Sequence, residues 1–271
     1  MLDDTIIISM TSWPKRIHLV APAVYSIYRQ ITGIVNCRIV VVLAKPEFPN
    51  LFADLPTELR TMINAKIVDV LWCDENLYSH KKLMPALLTW PDSTILCVDD
   101  DVIRPDGWCA QFLNDHNKYP NDVLVGCCWY DIGYDNGRFN PTQAVIANSG
   151  ERAGSIITNS RPANGYGGIL YPAHTFTDSR FFDLDLMMQL SARSDECWQY
   201  CFNIIEDKTL RWLSYVWPYH KYVQAGSQET SMGQSRNLGK ISSYDEIHAN
   251  LFKAFPEFEH KLKLKLGVMP E

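Results

Sequence analysis

The chain has 271 residues, with 25 Lys and Arg against 31 Asp and Glu, a formal net charge of −6 and 46% hydrophobic residues. That composition excludes global disorder and leaves enough chain for a large core. The acidic balance argues against a general nucleic-acid binder, and no apolar run approaches the ~20 residues of a membrane span.

The start, MLDDTIIISM, is acidic and then only briefly apolar, which does not read as a secretory leader. Residues 5–10 read as a buried strand. Residues 20–31 carry Val20, Val24, Ile27 and Ile31 at helical spacing. CRIVVVL (37–43) is a second strand, 57–64 a short helix after Pro56, and KIVDVLW (66–72) a third strand. Residues 80–90 read as a helix, TILCV (94–98) as a strand, 107–119 as a helix and 122–128 as a fifth strand. This alternation predicts βαβ units and an α/β fold: an open, doubly wound, mostly parallel, Rossmann-like sheet with helices on both faces. In such sheets ligands bind beyond the carboxyl ends of the strands.

The second half is loop-rich. Residues 130–161 are polar and predict short antiparallel strands over the sheet edge. Residues 181–190 and 195–205 read as helices, 210–216 as a strand, 225–238 as a flexible segment suited to a lid, and 244–255 as a late helix. The tail, with HKLKLKLG, is basic and reads as exposed; it could touch an anionic membrane surface. The expected organisation is one domain over 1–271: a nucleotide-side half (1–128), an acceptor-side half (129–225) and a C-terminal segment (226–271). Eight cysteines include no C-x-x-C pair and read as buried free thiols in a reducing cytosol, so a cytoplasmic protein is expected.

Asp99-Asp100-Asp101 follows the strand TILCV directly. Three adjacent carboxylates repel one another, and Mg²⁺ or Mn²⁺ with substrate phosphates relieves that cost. In an extended chain Asp99 and Asp101 point to one side and Asp100 to the other. The bland alternative is a solvated acidic turn. In Asn164-Gly-Tyr-Gly-Gly, residues Gly165, Gly167 and Gly168 allow close backbone approach to a ligand, with Tyr166 among them; a plain tight turn reads equally well. Ser194-Asp195-Glu196 reads either as a helix N-cap with dipole-favoured acids or as the source of a general base. His220, after an expected strand end, could add an imidazole to the same metal. Lys81 and Lys82 stand against a helix dipole, which a phosphate or carboxylate partner would resolve. Trp129, Tyr130, Tyr134 and Tyr166 could stack on sugar or base faces, although most aromatics are simply packed.

Taken together, these segments resemble a family of bacterial glycosyltransferases of the GT-A fold. SMTSWPKRI (Ser9–Ile17) is similar to its first strand and nucleotide-side loop, and HKKLMPALLTWPDSTILCVDDDVIRP (His80–Pro105) to its Lys-Lys-x-x-Pro-Ala-Leu segment and Asp-rich motif. NGYGGILYP resembles its glycine-rich loop and SDECW its acidic pair before Trp. The resemblance spans Ser9 to about Trp198. It implies a UDP-sugar or GDP-sugar donor, a divalent metal on Asp99 and Asp101, and a sugar contact from Asp100. It also implies a nucleotide pocket with Thr11, Trp13 and Arg16, Lys82 near the nucleotide or diphosphate, and Asp195 or Glu196 as the base of an inverting displacement onto a glycan or lipid-linked acceptor. The pathway implied is a capsule or lipopolysaccharide.

Three rivals share part of this pattern: a nucleotidyltransferase, an Asp-nucleophile phosphohydrolase and a non-catalytic carbohydrate-binding protein. Their products discriminate them: a nucleoside diphosphate, pyrophosphate, inorganic phosphate, or none.

Overall fold

The computed structural model describes residues 5–34, 36–135, 138–144, 152–158, 160–162, 165–215, 217–231 and 242–268. Its first half contains strands β1 (Ile6–Thr11), β2 (Cys37–Ala44), β3 (Asp69–Cys73), β4 (Thr94–Asp99) and β5 (Val123–Val125). Between them lie helices α1 (Val20–Ile31), α2 (Thr57–Asn64), α3 (Met84–Thr89) and α4 (Trp108–Lys118). The second half supplies β6 (Cys128–Asp135), β7 (Arg138–Ala144), β8 (Ile156–Ile157), β9 (Ser160–Pro162), β10 (Ile169–Tyr171) and β11 (Leu210–Trp212). Its helices are α5 (Leu184–Ser191), α6 (Asp195–Ile205), α7 (Tyr244–Ala254) and α8 (Pro256–Lys265).

Among the described residues the main sheet runs β3-β2-β1-β4-β10-β5-β11-β8, and a small antiparallel sheet runs β7-β6-β9. In the main sheet β10 is antiparallel to β4 and β5, and β8 to β11; the other pairs are parallel. The expected α/β sheet is therefore present, mostly parallel but mixed. Its β10 comes from the end of the segment read as a glycine-rich loop.

Period-two alternation explains the two-sided core. Ile7, Val40, Val42 and Ile95 face Trp198 and Phe202 of α6. Ile8, Met10, Val41 and Leu96 face Val24 and Ile27 of α1 and Phe112 of α4. Thr11 pairs with Val42 on one side and Asp99 on the other, so the loops after β1 and β4 leave the sheet side by side.

Several local expectations are corrected. Residues 80–90 do not form one helix: a 3-10 turn (Tyr78–Lys82) precedes α3, which carries Pro85 in its first turn. Pro85 has no N–H to bond the Lys81 carbonyl, so one helix cannot run unbroken through both, and proline is tolerated only in the first turn of α3. The strand expected over 122–128 stops at Val125, where Gly126 passes so close to Gly167 that a Cβ would collide with its carbonyl. The strand expected over 210–216 ends at Trp212. The tail is not simply exposed. Phe258 and Leu262, four residues apart, are fully buried, and Lys261 donates to the Ile205 carbonyl (2.6 Å) and pairs with Asp207. No helix among the described residues is long and apolar enough to cross a membrane.

Candidate active site

Asp99 ends β4, so all three acids stand at the carboxyl end of the sheet. Asp100 and Asp101 are buried, which rules out the solvated acidic turn. Arg16, delivered by the loop after β1, pairs with Asp100 and with Asp101 (2.9 Å). Ser12 donates to Asp100 Oδ2 at 2.6 Å. Burial pushes the Asp100 carboxyl up to about 6 even against Arg16, and burial likewise raises Asp99. Burial would lower the Arg16 pKa, but Asp100, Asp101 and Asp99 hold it above its ordinary value.

Lys82 is the link to the second acidic centre. Its Nζ lies 2.6 Å from Asp99 Oδ1 and 3.6 Å from Asp195 Oδ2. The partner that its position demanded is thus a carboxylate, twice over. Burial works against the ammonium, but Asp195 and Asp99 keep it charged. Lys81 is not solvated either: it is buried and paired with Glu47, at the carboxyl end of β2. Beside them His80 is buried, its Nε2 at 2.9 Å from the Ser191 carbonyl. Burial holds the imidazole neutral, outweighing Asp195.

Asp195 and Glu196 open α6, where the helix dipole favours carboxylates. Ser194 occupies the N-cap position, as read, but its side chain makes no capping bond; Ser191 Oγ donates to the Ser194 carbonyl at 2.6 Å. Asp195 is buried. Glu196 is half-buried and accepts from the Tyr244 hydroxyl at 3.1 Å. Its charge reaches the Cys127 thiol, which burial pushes up to about 12. Tyr166 stands near Cys127 and the Asp-rich turn: burial, then the Cys127 and Asp101 charges, push its phenol up to about 12.

The glycine loop is wedged under the acids. Gly165 has φ +92°, and a Cβ there would collide with Asp99 Oδ1 and crowd Lys82 Nζ (2.9 Å). Gly168 has φ +91° and backs onto Trp108. Only glycine adopts these positions without strain and clash. Residues 165 and 166 form a tight turn, and its glycines are required by its packing against Asp99 and Trp108.

Thr11 spends its hydroxyl on the Val42 carbonyl (2.8 Å), and Trp13 is half-buried beneath Lys15. His220 is exposed in a 3-10 turn. Among the described residues no three His, Cys, Asp or Glu side chains form a metal-holding group, with His220 or without it. Of the segment 225–238, residues 225–231 are described. Gln228 donates to Asp101 Oδ2 (3.1 Å), and just before the segment Gln224 donates from its backbone to the Asp101 carbonyl (2.8 Å). Asn164 and the side chains of Trp129 and Tyr130 lie outside the described residues; Tyr134 packs on Phe139.

Ser12, Gln224, Gln228 and Arg104 were not singled out from the sequence. Ser12 sat inside the Ser9–Ile17 motif. Arg104 likewise sat inside the His80–Pro105 segment and Gln228 inside the segment read as a lid, whereas Gln224 carries no spacing signal, because its position comes from a chain crossing.

Four carboxylates (Asp99, Asp100, Asp101, Asp195) share two cations (Arg16, Lys82) in these ion pairs, an excess of two negative charges. That excess and the all-oxygen donor set fit a divalent cation of the Mg²⁺ or Mn²⁺ kind. Such ions are commonly held by one or two carboxylates, with phosphates and water completing the shell.

No protein-family model matches the sequence, and no curated protein matches it. Solved structures do match. Staphylococcus aureus TarS, residues 1–349, is 16% identical with a TM-score of 0.53, over 96% of this chain and 72% of that one. The same protein in complex with UDP is 15% identical with a TM-score of 0.53, over 97% and 69%. Mannosyltransferase PcManGT from Pyrobaculum calidifontis, in complex with GDP-Man and Mn²⁺, is 10% identical with a TM-score of 0.50, over 98% and 76%. At these identities the likeness speaks for architecture, and the chain has a GT-A-like α/β fold.

Proposed function

We propose that the chain is a metal-dependent glycosyltransferase that moves a sugar from a nucleotide-diphospho-sugar to a hydroxyl of a glycan or lipid-linked acceptor, with inversion. The observation that carries this reading is the pair of acidic centres at the carboxyl end of the sheet, joined by Lys82. The fold neighbours support the donor class: one is a UDP complex and one a GDP-Man complex with Mn²⁺. The resemblance of the motifs to surface-polysaccharide enzymes supports a capsule or lipopolysaccharide product.

Asp99 and Asp101 would hold the metal, which supplies charge neutralisation to a leaving diphosphate. Arg16 fixes Asp100 and Asp101, and Trp13 flanks the nucleotide side. A general base must come within hydrogen-bond reach of the acceptor hydroxyl. Asp195 is buried and committed to Lys82, whereas Glu196 is half-buried, beside Cys127 and the Tyr244 hydroxyl. We therefore assign the base to Glu196, with Asp195 holding Lys82.

A thermal-shift screen of UDP-, GDP-, CMP- and dTDP-sugars, with and without Mn²⁺, tests the reading. A ligand at 100 times its Kd stabilises the native state by about 2.7 kcal/mol. A Mn²⁺-dependent rise with one nucleotide class is expected, abolished in Asp101→Ala. No rise in a folded sample, or an equal rise in Asp101→Ala, counts against it. A product that keeps the donor's anomeric configuration would remove inversion.

A further inference from the structure

We propose that Arg104 is a positioning residue: it clamps the glycine loop against Asp99 by its backbone carbonyls, and so sets where Tyr166 stands. Arg104 lies three residues beyond Asp101 and is fully buried. Its guanidinium donates to the Tyr166 carbonyl (2.6 Å) and to the Gly165 carbonyl (2.8 Å), and its face lies over the Trp108 ring, 4.8 Å from the centroid. Trp108 Nε1 donates to the next carbonyl, Gly167, at 3.1 Å. Three consecutive carbonyls of the loop are thus held by two side chains from the segment that follows the acids.

The same Gly165 carbonyl accepts from Asp99 N at 3.0 Å, so loop and acid motif share one bonding point. Arg104 is itself fixed from behind: its N–H donates to Ser26 Oγ (2.9 Å), and its carbonyl accepts from Gln30 Nε2 (3.3 Å). α1 therefore braces the clamp. Burying a guanidinium is expensive, and an apolar side chain could fill space without that cost. What an apolar side chain cannot do is bond two successive carbonyls in one plane, which the fork of arginine does. Lysine, a point charge, can replace one of those bonds but not the planar pair or the stacking.

The kinetic arm of this proposal rests on the transferase reading; the structural arm does not. Hydrogen exchange is measured on Arg104→Lys and on Trp108→Phe, which keeps a ring but loses the indole N–H. Exchange at 165–168 should quicken at least tenfold in Arg104→Lys, and less in Trp108→Phe, with amides of β4 and α4 unchanged. Unchanged exchange at 165–168, or a rise spread equally over β4 and α4, overturns the clamp. In parallel, the affinity of Arg104→Lys for UDP and for GDP with Mn²⁺ is measured by calorimetry. Whichever nucleoside diphosphate binds the unsubstituted protein should keep its Kd within about threefold, while turnover of its sugar nucleotide falls at least tenfold. A parallel loss of both would assign Arg104 to general integrity of the site and overturn the positioning role. If the unsubstituted protein turns over no sugar nucleotide, the transferase reading fails, and the exchange result still decides the clamp.

Discussion

Lys82 and His80 occupy alternate positions of one short turn, yet carry opposite electrostatic duties. Lys82 stays charged because the carboxylates of Asp195 and Asp99 face it; His80 stays neutral because burial outweighs the charge of Asp195. The division of labour between the two α6 acids follows from the same contacts. Glu196→Gln should lower turnover by about 10²-fold or more, the usual range for a general base, with nucleotide affinity unchanged. Asp195→Asn should instead weaken Mn²⁺-dependent nucleotide binding, because Lys82 loses one of its two partners; titration of both variants with UDP and GDP separates the roles. Burial makes His80 a source of acid sensitivity. Its folded pKa lies below the 6.5 of an exposed imidazole, so the unfolded chain takes up the proton first. Stability is complete above pH 6.5 and falls as pH drops below it, by up to about 1.4 kcal/mol per pH unit. Asp100, raised to about 6, acts in the opposite sense, with stability lost as pH rises through that value. Urea denaturation of the unsubstituted protein and His80→Gln between pH 5 and 7.5 isolates the histidine, since both retain Asp100. The difference in stability should shrink or change sign towards acid pH, and a constant difference would remove the histidine term.

The elements place these residues by ending where they do. β1 and β4 finish level with one another and β2 runs two residues further, so Arg16, Glu47 and Asp99 all stand at one rim. The turn before α3 then lays Lys81 towards Glu47 and Lys82 towards Asp99. Removing one partner of a buried pair leaves an uncompensated charge, at about 3–5 kcal/mol. Glu47→Gln should therefore destabilise strongly, and Lys81→Met with Glu47→Gln should recover much of that loss. Chemical denaturation of the two variants checks it; equal loss in both would mean that the side-chain stems, not the charges, carry the stability. Element type was largely legible for the first half, because strands buried on both faces read as runs such as CRIVVVL, and α1 shows a clean apolar stripe. Boundaries were less so. Pro85 splits the expected 80–90 helix, and Gly126 stops β5 because Gly167 lies against it.

Across the whole molecule, the C-terminal helices complete the core rather than trail from it. Phe255 and Phe258 are buried against the aromatic cluster of α6, with Phe255 edge-on to Trp198 and Phe258 edge-on to Tyr200. Phe258→Ala should cost about 3–5 kcal/mol by cavity formation, read as a lower denaturation midpoint with an unchanged slope. A loss below about 1 kcal/mol would mean that α8 is only loosely held. The alternating Lys and Leu of this tail suggested an exposed strip, since lysine stems hide their use: Lys261 reaches back to the end of α6, which no local pattern records.

The sequence by itself determined the α/β class, the run of acids after β4, the glycine-rich loop and the acidic start of α6. Each is a local feature, written in apolar periodicity or in a short cluster of one residue type. Only the tertiary structure decided which charges meet. Lys82 bonds Asp99 and reaches Asp195, 113 positions further along the chain than itself, Arg16 reaches Asp100 and Asp101 from the loop after β1, and Arg104 takes the carbonyls of Gly165 and Tyr166. These pairings are set by strand order, above all by β10 lying between β4 and β5. Strand order is fixed by how the sheet packs as a whole, and a spacing along the chain carries no record of it.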